Sequence, residues 1–242
     1  MGFGVKSNIL NKLSEYRDAY ISTGFFKEIA KHLTETKPVV FYVGANTGQY
    51  LRTIHHNLNN PEVFCFEPAK VNFEKLTRNA SSFKQTHVHQ LGLGKEKSEL
   101  FVIPSDPDAM KHQQTDTMVR LSSTDTADWG ESVQISTVDN FSRESQINHI
   151  SILKLDVEGS ETDVLFGATS YLTELKIDCV FVECSLNPDN NWHVHLDEIR
   201  AILEPLGYRI FKIYDQVSEF FTNQPHLRRA DVAFISPKIY NR

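Results

Sequence analysis

The sequence predicts one open α/β domain on a parallel sheet of about seven strands. Three observations predict it. From residue 39 onward, short apolar runs alternate with helix-length segments across short loops, the pattern of right-handed βαβ units. The first run, Val39-Val40-Phe41-Tyr42-Val43, is apolar without a break, as in strands covered on both faces. The 242 residues suit one domain of this class, and no internal repeat or low-complexity tract divides them.

Ahead of the sheet, Ile9, Leu10, Leu13 and Tyr16, then Ile21, Phe25, Phe26, Ile29 and Leu33, recur at three- and four-residue steps, which predicts helix. Thr23-Gly24 offers a break, and Pro38 ends the pattern. Residues 1–37 therefore read as a helical extension and 38–242 as the main domain. Val39 to Val43 is the first strand, Gly44 to Gly48 a turn, and Gln49 to Leu58 a helix. Glu62 to Phe66 is the second strand, stopped by Pro68. Val71 to Asn79 is a helix and Thr86 to Leu91 a third strand. Glu99 to Ile103 and Val133 to Val138 read as further strands, and between them Pro104 to Trp129 reads as a long polar surface excursion. Alternation resumes with Ile150 to Leu155 as the fourth strand of the series and one helix from Glu161 to Tyr171. A strand over Cys179 to Glu183, a helix over Val194 to Leu203, and strands over Gly207 to Tyr214 and Asp231 to Ser236 complete the set.

A hydrophobic fraction of 40% with 23% charged residues is globular, which excludes disorder and fibre. No apolar run reaches the roughly 18 residues of a membrane helix. The start, Met1-Gly2-Phe3-Gly4-Val5-Lys6, has no apolar signal-peptide core. Lys and Arg number 25 against 31 Asp and Glu, and the resulting charge of −6 weighs against a nucleic-acid binder. The cysteines, Cys65, Cys179 and Cys184, are odd in number and lack a C-x-x-C spacing, which suits a reducing cytoplasm.

Open α/β sheets bind ligands at the carboxyl ends of their strands, beside the switch in strand order. The first strand-turn-helix reads Tyr42-Val43-Gly44-Ala45-Asn46-Thr47-Gly48. Gly44 permits a sharp turn, Asn46 tolerates positive φ, and Gly48 permits close approach of the helix. Free N–H groups at the helix start favour a carboxylate or phosphate. The second strand ends in Phe66-Glu67-Pro68, and a carboxylate at that tip suits a ribose diol. A glycine turn alone often does no more than turn. With Glu67 it points to a nucleoside, either in a dinucleotide or in S-adenosylmethionine. The dinucleotide pattern lacks its third glycine, since Gln49-Tyr50-Leu51 is bulky there. Tyr208 and Lys212 match a reductase spacing, but on a strand they sit about 13 Å apart, so the match reads as coincidence.

The fourth strand runs into Leu153-Lys154-Leu155-Asp156-Val157-Glu158-Gly159-Ser160-Glu161. Asp156 should emerge at the carboxyl end of the sheet beside the turn. Glu161 reads as serving the first turn of the next helix, where negative charge is favourable.

With these segments the chain resembles the FkbM family of S-adenosylmethionine-dependent methyltransferases. The resemblance rests on Val43 to Gly48, Phe66-Glu67-Pro68, Thr137-Val138-Asp139-Asn140-Phe141, Leu153 to Glu161 and Phe181-Val182-Glu183, in that order. It implies a class I methyltransferase fold, Rossmann-like, with helices on both faces of a seven-stranded, mostly parallel sheet whose last strand is antiparallel. It implies S-adenosyl-L-methionine as methyl donor and a hydroxyl acceptor on a sugar or natural product, a small molecule or saccharide rather than nucleic acid. By position, Gly44, Ala45, Asn46, Thr47 and Gly48 hold the methionine tail, Glu67 and Pro68 the ribose, and Gly92 and Leu93 the adenine. Tyr42 stands where the family carries an acid, and Asp156 is the residue placed to supply that charge.

Methyl transfer needs an aligned acceptor and a base for its hydroxyl proton. Asp156 and Glu158 are the candidates by position, with His193 of Trp192-His193-Val194-His195 as a third. No third ligand of convincing spacing joins the histidine pair, so no metal is expected. His55-His56 reads as solvated, and His87 with His89 as structural. The polar Pro104 to Trp129 excursion is expected to cover the acceptor site. A non-catalytic binding protein of the same fold and a dinucleotide-dependent oxidoreductase are the rival readings.

Overall fold

The computed structural model describes residues 24–104, 119–123, 131–190, 192–219 and 224–242. The strands are β1 (Val39–Val43), β2 (Glu62–Phe66), β3 (Thr86–His89), β4 (Gly92–Leu93), β5 (Ser98–Pro104) and β6 (Val119–Ser122), then β7 (Ser132–Ser136), β8 (Ile150–Leu155), β9 (Ile177–Ser185), β10 (Arg209–Ser218) and β11 (Leu227–Ile235). Seven of them form one sheet in the order β10-β11-β9-β8-β1-β2-β3. All neighbours in it are parallel except β11, which runs antiparallel to both β9 and β10. This is the class I methyltransferase sheet. The chain builds outward through β2 and β3, then returns to place β8 on the other side of β1. The switch point, where ligands bind in such sheets, lies between the carboxyl ends of β1 and β8.

The apolar runs are continuous because both faces are covered. On β1, Phe41 and Val43 face one core with Phe64, Phe66, Leu153 and Val180, while Val40 and Tyr42 face the other with Val63, Cys65, Ile152 and Phe181. The three cysteines are free and buried, and burial pushes the Cys65 thiol up to about 12, so it is an inert packing group.

Residues 9 to 23, which carry part of the helical prediction, lie outside the described residues. The rest of that prediction holds at 24–29, where Phe25, Phe26 and Ile29 are fully buried. Phe25 stacks on Phe181 of β9 at 3.9 Å, and Glu28 bonds Lys212 and the Tyr214 hydroxyl at 2.9 and 2.8 Å. Among the described residues no helix is long and apolar enough to cross a membrane.

Three expectations change. The segments read as strands at 99–103 and 133–138 stay out of the main sheet. As β5 and β7 they form a second sheet, ordered β4-β7-β5-β6. The excursion expected over Pro104 to Trp129 falls mostly outside the described residues, and its one described piece, β6, pairs with β5. The helix expected from Glu161 to Tyr171 is two helices, Glu161–Phe166 and Thr169–Thr173. A Cβ on Gly167 would lie 2.0 Å from the Gly94 carbonyl oxygen, so the backbones pass too closely for any other residue. Asp139 caps the second helix by accepting N–H bonds from Ser170 and Tyr171 at 2.9 and 3.2 Å. The Thr137 to Phe141 stretch is therefore a bracing element.

Candidate active site

A cleft of about 330 Å³ opens at the switch point. Its walls include Gly44, Asn46, Glu67, Pro68, Gly92, Leu93, Asp156, Glu158 and His193 from the predicted set, with Val43 beside them. The turn after β1 holds its shape through positive φ at Gly44 (75°), Asn46 (47°) and Gly48 (87°). Gly44 passes so close to β8 that a Cβ would lie 1.8 Å from the Asp156 carbonyl oxygen. Asp156 in turn donates its N–H to the Val43 carbonyl at 3.1 Å. The two sequence signals, glycine turn and acidic strand end, are thus in direct contact.

Four predicted cofactor residues do not line the cleft. Tyr42 is fully buried on the opposite face of β1, with its ring 5.6 Å from that of Tyr50. Burial and the negative charge of Asp156 hold its hydroxyl well above the usual tyrosine range. Ala45 and Thr47 point into the protein. A Cβ on Gly48 would lie 2.8 Å from Leu51 and Leu76, so this glycine serves helix packing. The anion-binding reading of the turn weakens too. The Gly44 and Ala45 N–H groups donate to the Phe66 carbonyl, Gly48 donates to the Ala45 carbonyl, and Asn46 donates to Glu67 Oε2 at 2.9 Å.

Glu67 is 3% exposed and also accepts the Ala69 N–H at 3.0 Å. Burial pushes its carboxyl up to about 7, against the pull of those N–H groups and of Asn72. It ties the glycine turn to the end of β2 while lining the cleft.

The other end of the cleft is a charged cluster. Lys154 Nζ donates to Asp156 Oδ2 at 2.9 Å. Burial works to raise the Asp156 carboxyl, but the Lys154 charge and hydrogen bond outweigh it and hold it below the usual range. Burial, then the Asp156 charge, pushes the Glu158 carboxyl up to about 7. Glu158 itself sits at positive φ, 52°. His193 Nε2 lies 3.0 Å from Glu183 Oε2 and 3.5 Å from Glu158 Oε2, and Arg229 pairs with the other Glu183 oxygen. Glu161 does more than serve its own helix. It is fully buried and accepts N–H bonds from Gly159 and Val194 at 3.1 and 3.2 Å, so it pins the His193 segment against the end of β8.

The sequence offers no third ligand beside His193, whereas the structure brings Glu158 and Glu183 to it, with donor atoms all within 4.8 Å. The hydrogen bonds around the ring oppose metal ligation. Asn190 Oδ1 accepts from Trp192 N–H and Arg228, which turns the Asn190 amide nitrogen toward His193 Nδ1 at 3.3 Å. An amide N–H only donates, so Nδ1 accepts and Nε2 carries the proton that Glu183 receives. A metal ligand would show the reverse arrangement, with Nδ1–H donating outward.

Glu183, Arg229, Asp215, Tyr50 and Asn72 also line the cleft, and the sequence assigns none of them a role at the site. Glu183 is legible in the sequence, because it lies near the carboxyl end of a strand parallel to β8. Arg229 and Asp215 arrive through β11 and β10, whose placement no local motif marks. His87 and His89 stack on Phe64 and Phe66. His55, expected in solvent, is half-buried, bonds Thr86 at 2.8 Å and stacks on Phe83. Tyr208 donates to the Ile177 carbonyl at 2.6 Å and Lys212 pairs with Glu28, so they form no reductase pair.

Residues 43–210 match the family model described as Methyltransferase FkbM domain. The chain belongs to the FkbM methyltransferase family. A relative, the 2-O-methyltransferase NoeI of Sinorhizobium fredii, is 22% identical over 188 residues, which is 74% of this chain and 75% of that protein. Similar solved structures include M. capricolum TrmK with S-adenosylhomocysteine (12% identity, 88% of this chain, 68% of that one, TM-score 0.49). Another is an rRNA methylase from Streptococcus thermophilus (12% identity, 89% of this chain, 93% of that one, TM-score 0.47). This FkbM-family protein is an S-adenosylmethionine-dependent methyltransferase, and the oxidoreductase reading falls. The donor set fits the cofactor, with a carboxylate at either end of the cleft and apolar walls from Leu93, Leu121 and Val157.

Proposed function

We propose that this FkbM-family protein O-methylates a hydroxyl of a saccharide or sugar-bearing acceptor, with Glu158 as general base. The observation that carries the reading is the Glu158 carboxyl, held up to about 7 at the cleft wall, where it can take a proton near neutral pH. When bound, the cofactor supplies an activated methyl group on sulfur. Glu67 binds the ribose hydroxyls, and Gly92 with Leu93 lies against the adenine. Asp156 holds the cofactor's ammonium, and Gly44 keeps the turn tight against it. Asp156 is already committed to Lys154, which leaves Glu158 as the base. His193 presents Nε2–H toward Glu158 and Glu183, so it orients their carboxylates. Arg229 balances the second of these. The 2-O-methyltransferase activity printed for the relative NoeI supports an oxygen acceptor, and the charge of −6 weighs against a nucleic acid.

The test is transfer of radiolabelled methyl from S-adenosylmethionine to a panel of mono- and oligosaccharides, with RNA and protein arms. Alkali-stable label on a saccharide is the expected result. Label confined to RNA, or to an alkali-labile ester, overturns the acceptor reading.

A further inference from the structure

Lys154 is 2% exposed and sits in β8 among Ile152, Leu153 and Leu155. A buried ammonium is strongly unfavourable unless its charge is met. Here it is met by three rings and one carboxylate. Nζ lies 4.1 Å from the Tyr50 ring centre, 5.1 Å from Tyr42 and 5.8 Å from Phe181, and donates to Asp156 at 2.9 Å. Asp231 on β11 is a second acid within its field. Tyr42 gives the first strand no charge of its own, so Lys154 is free to hold Asp156. The Asp156 side chain keeps 24% exposure and lines the cleft next to Gly44.

We propose that Lys154 is the positioning residue for the amino-acid end of the cofactor. It clamps one oxygen of Asp156 and thereby turns the carboxylate so that the cofactor's ammonium is met from β8 rather than from β1. The proposal rests on Asp156 facing that ammonium. Lys154 touches neither cofactor nor acceptor and acts through Asp156 alone. The ring cage fixes the ammonium laterally, and it keeps water from the ammonium itself.

The test titrates two ligands, S-adenosylhomocysteine and 5′-methylthioadenosine. They share the nucleoside, and only the first has the amino-acid tail. Wild type, Lys154→Met, Asp156→Asn and the double variant are compared after thermal unfolding confirms that each is folded. Each single variant should lose about tenfold or more in affinity for S-adenosylhomocysteine and stay within about twofold for 5′-methylthioadenosine. The double variant should be no worse than either single one. Should Lys154→Met not fold, Lys154→Gln is read by the same ratio. Unchanged S-adenosylhomocysteine affinity, an equal loss for both ligands, or additive losses in the double variant would overturn the assignment of Lys154. Selective loss in Lys154→Met with none in Asp156→Asn overturns its action through Asp156. Failure of the wild-type protein to bind S-adenosylhomocysteine at all would overturn the cofactor assignments together with it.

Discussion

Replacing Gly44 with alanine would set a methyl group 1.8 Å from the Asp156 carbonyl oxygen and 3.2 Å from Val157 Cγ1. An ordinary contact is about 3.5 Å, so the end of β8 must retreat by roughly 1.7 Å. The obstacle is backbone, which cannot rotate away. Retreat breaks the Asp156 N–H bond to the Val43 carbonyl, costing about 1 kcal/mol. The positive φ of 75° costs a side chain about 1 kcal/mol more. The expected loss of stability is about 2–4 kcal/mol once residual crowding is included. Gly48→Ala is the control. Its φ is also positive, 87°, but its Cβ would meet only the Leu51 and Leu76 methyl groups at 2.8 Å. Those side-chain ends can turn aside, so about 1–2 kcal/mol is expected. Urea unfolding reads both variants, and calorimetry with S-adenosylhomocysteine reads the site. Gly44→Ala should lose more than about tenfold in affinity because Asp156 moves with its backbone, while Gly48→Ala should stay within about threefold. Equal losses in the two variants, or a larger loss for Gly48→Ala, would refute the contact between turn and strand end.

Glu67→Ala should weaken S-adenosylhomocysteine by about 1–3 kcal/mol and lower the melting temperature, since Asn46 and Ala69 lose their acceptor; a normal melting temperature would remove Glu67 from the turn. The raised carboxyls at Glu67 and Glu158 make stability depend on pH. The folded protein holds these protons to about 7 and the unfolded chain releases them near the ordinary 4.5, so their contribution is complete below about 4.5 and lost as pH rises through about 7. Urea midpoints at pH 5 and 8 should therefore fall with pH, less steeply in Glu67→Gln, and a midpoint that rises would contradict the assignment. Glu158→Gln should lower kcat by about 10²–10⁴-fold and remove the rise in rate near neutral pH while cofactor affinity holds; unchanged turnover would exclude Glu158 as base. Tyr208→Phe should cost about 1 kcal/mol through its bond to the Ile177 carbonyl and leave activity intact, as equilibrium unfolding beside a turnover assay will show.

The parts of this fold legible in the sequence are those set by neighbours along the chain. Asn46 occupies a left-handed position because its own turn requires one, and Asp156 meets Gly44 because both end strands at the switch point. Which side of a strand a residue faces was less legible. Tyr42 is one residue from the cleft wall yet points to the opposite core, because side chains alternate along a strand. Long-range approaches left no local mark at all. Gly94 against Gly167 breaks a helix whose sequence is periodic throughout, and Arg229 reaches Glu183 only because β11 lies antiparallel to β9. Lys154 reads as a polar interruption of a strand, and only the surrounding rings explain why a charge is tolerated there.

The helix at 24–29 has a consequence for how the chain tolerates cutting. Residues 34–37, which join it to β1, are exposed and open to a protease. After a nick there, the helix would stay docked only by non-covalent contacts, chief among them the buried Phe25, Phe26 and Ile29 and the Glu28 bonds. Its release would bare one face of Phe181, whose ring also walls in the Lys154 ammonium. Water would then reach a charge that is otherwise dry, from the side of the sheet away from the cleft. A short segment distant in sequence from every candidate site residue thus acts as a gasket for the site.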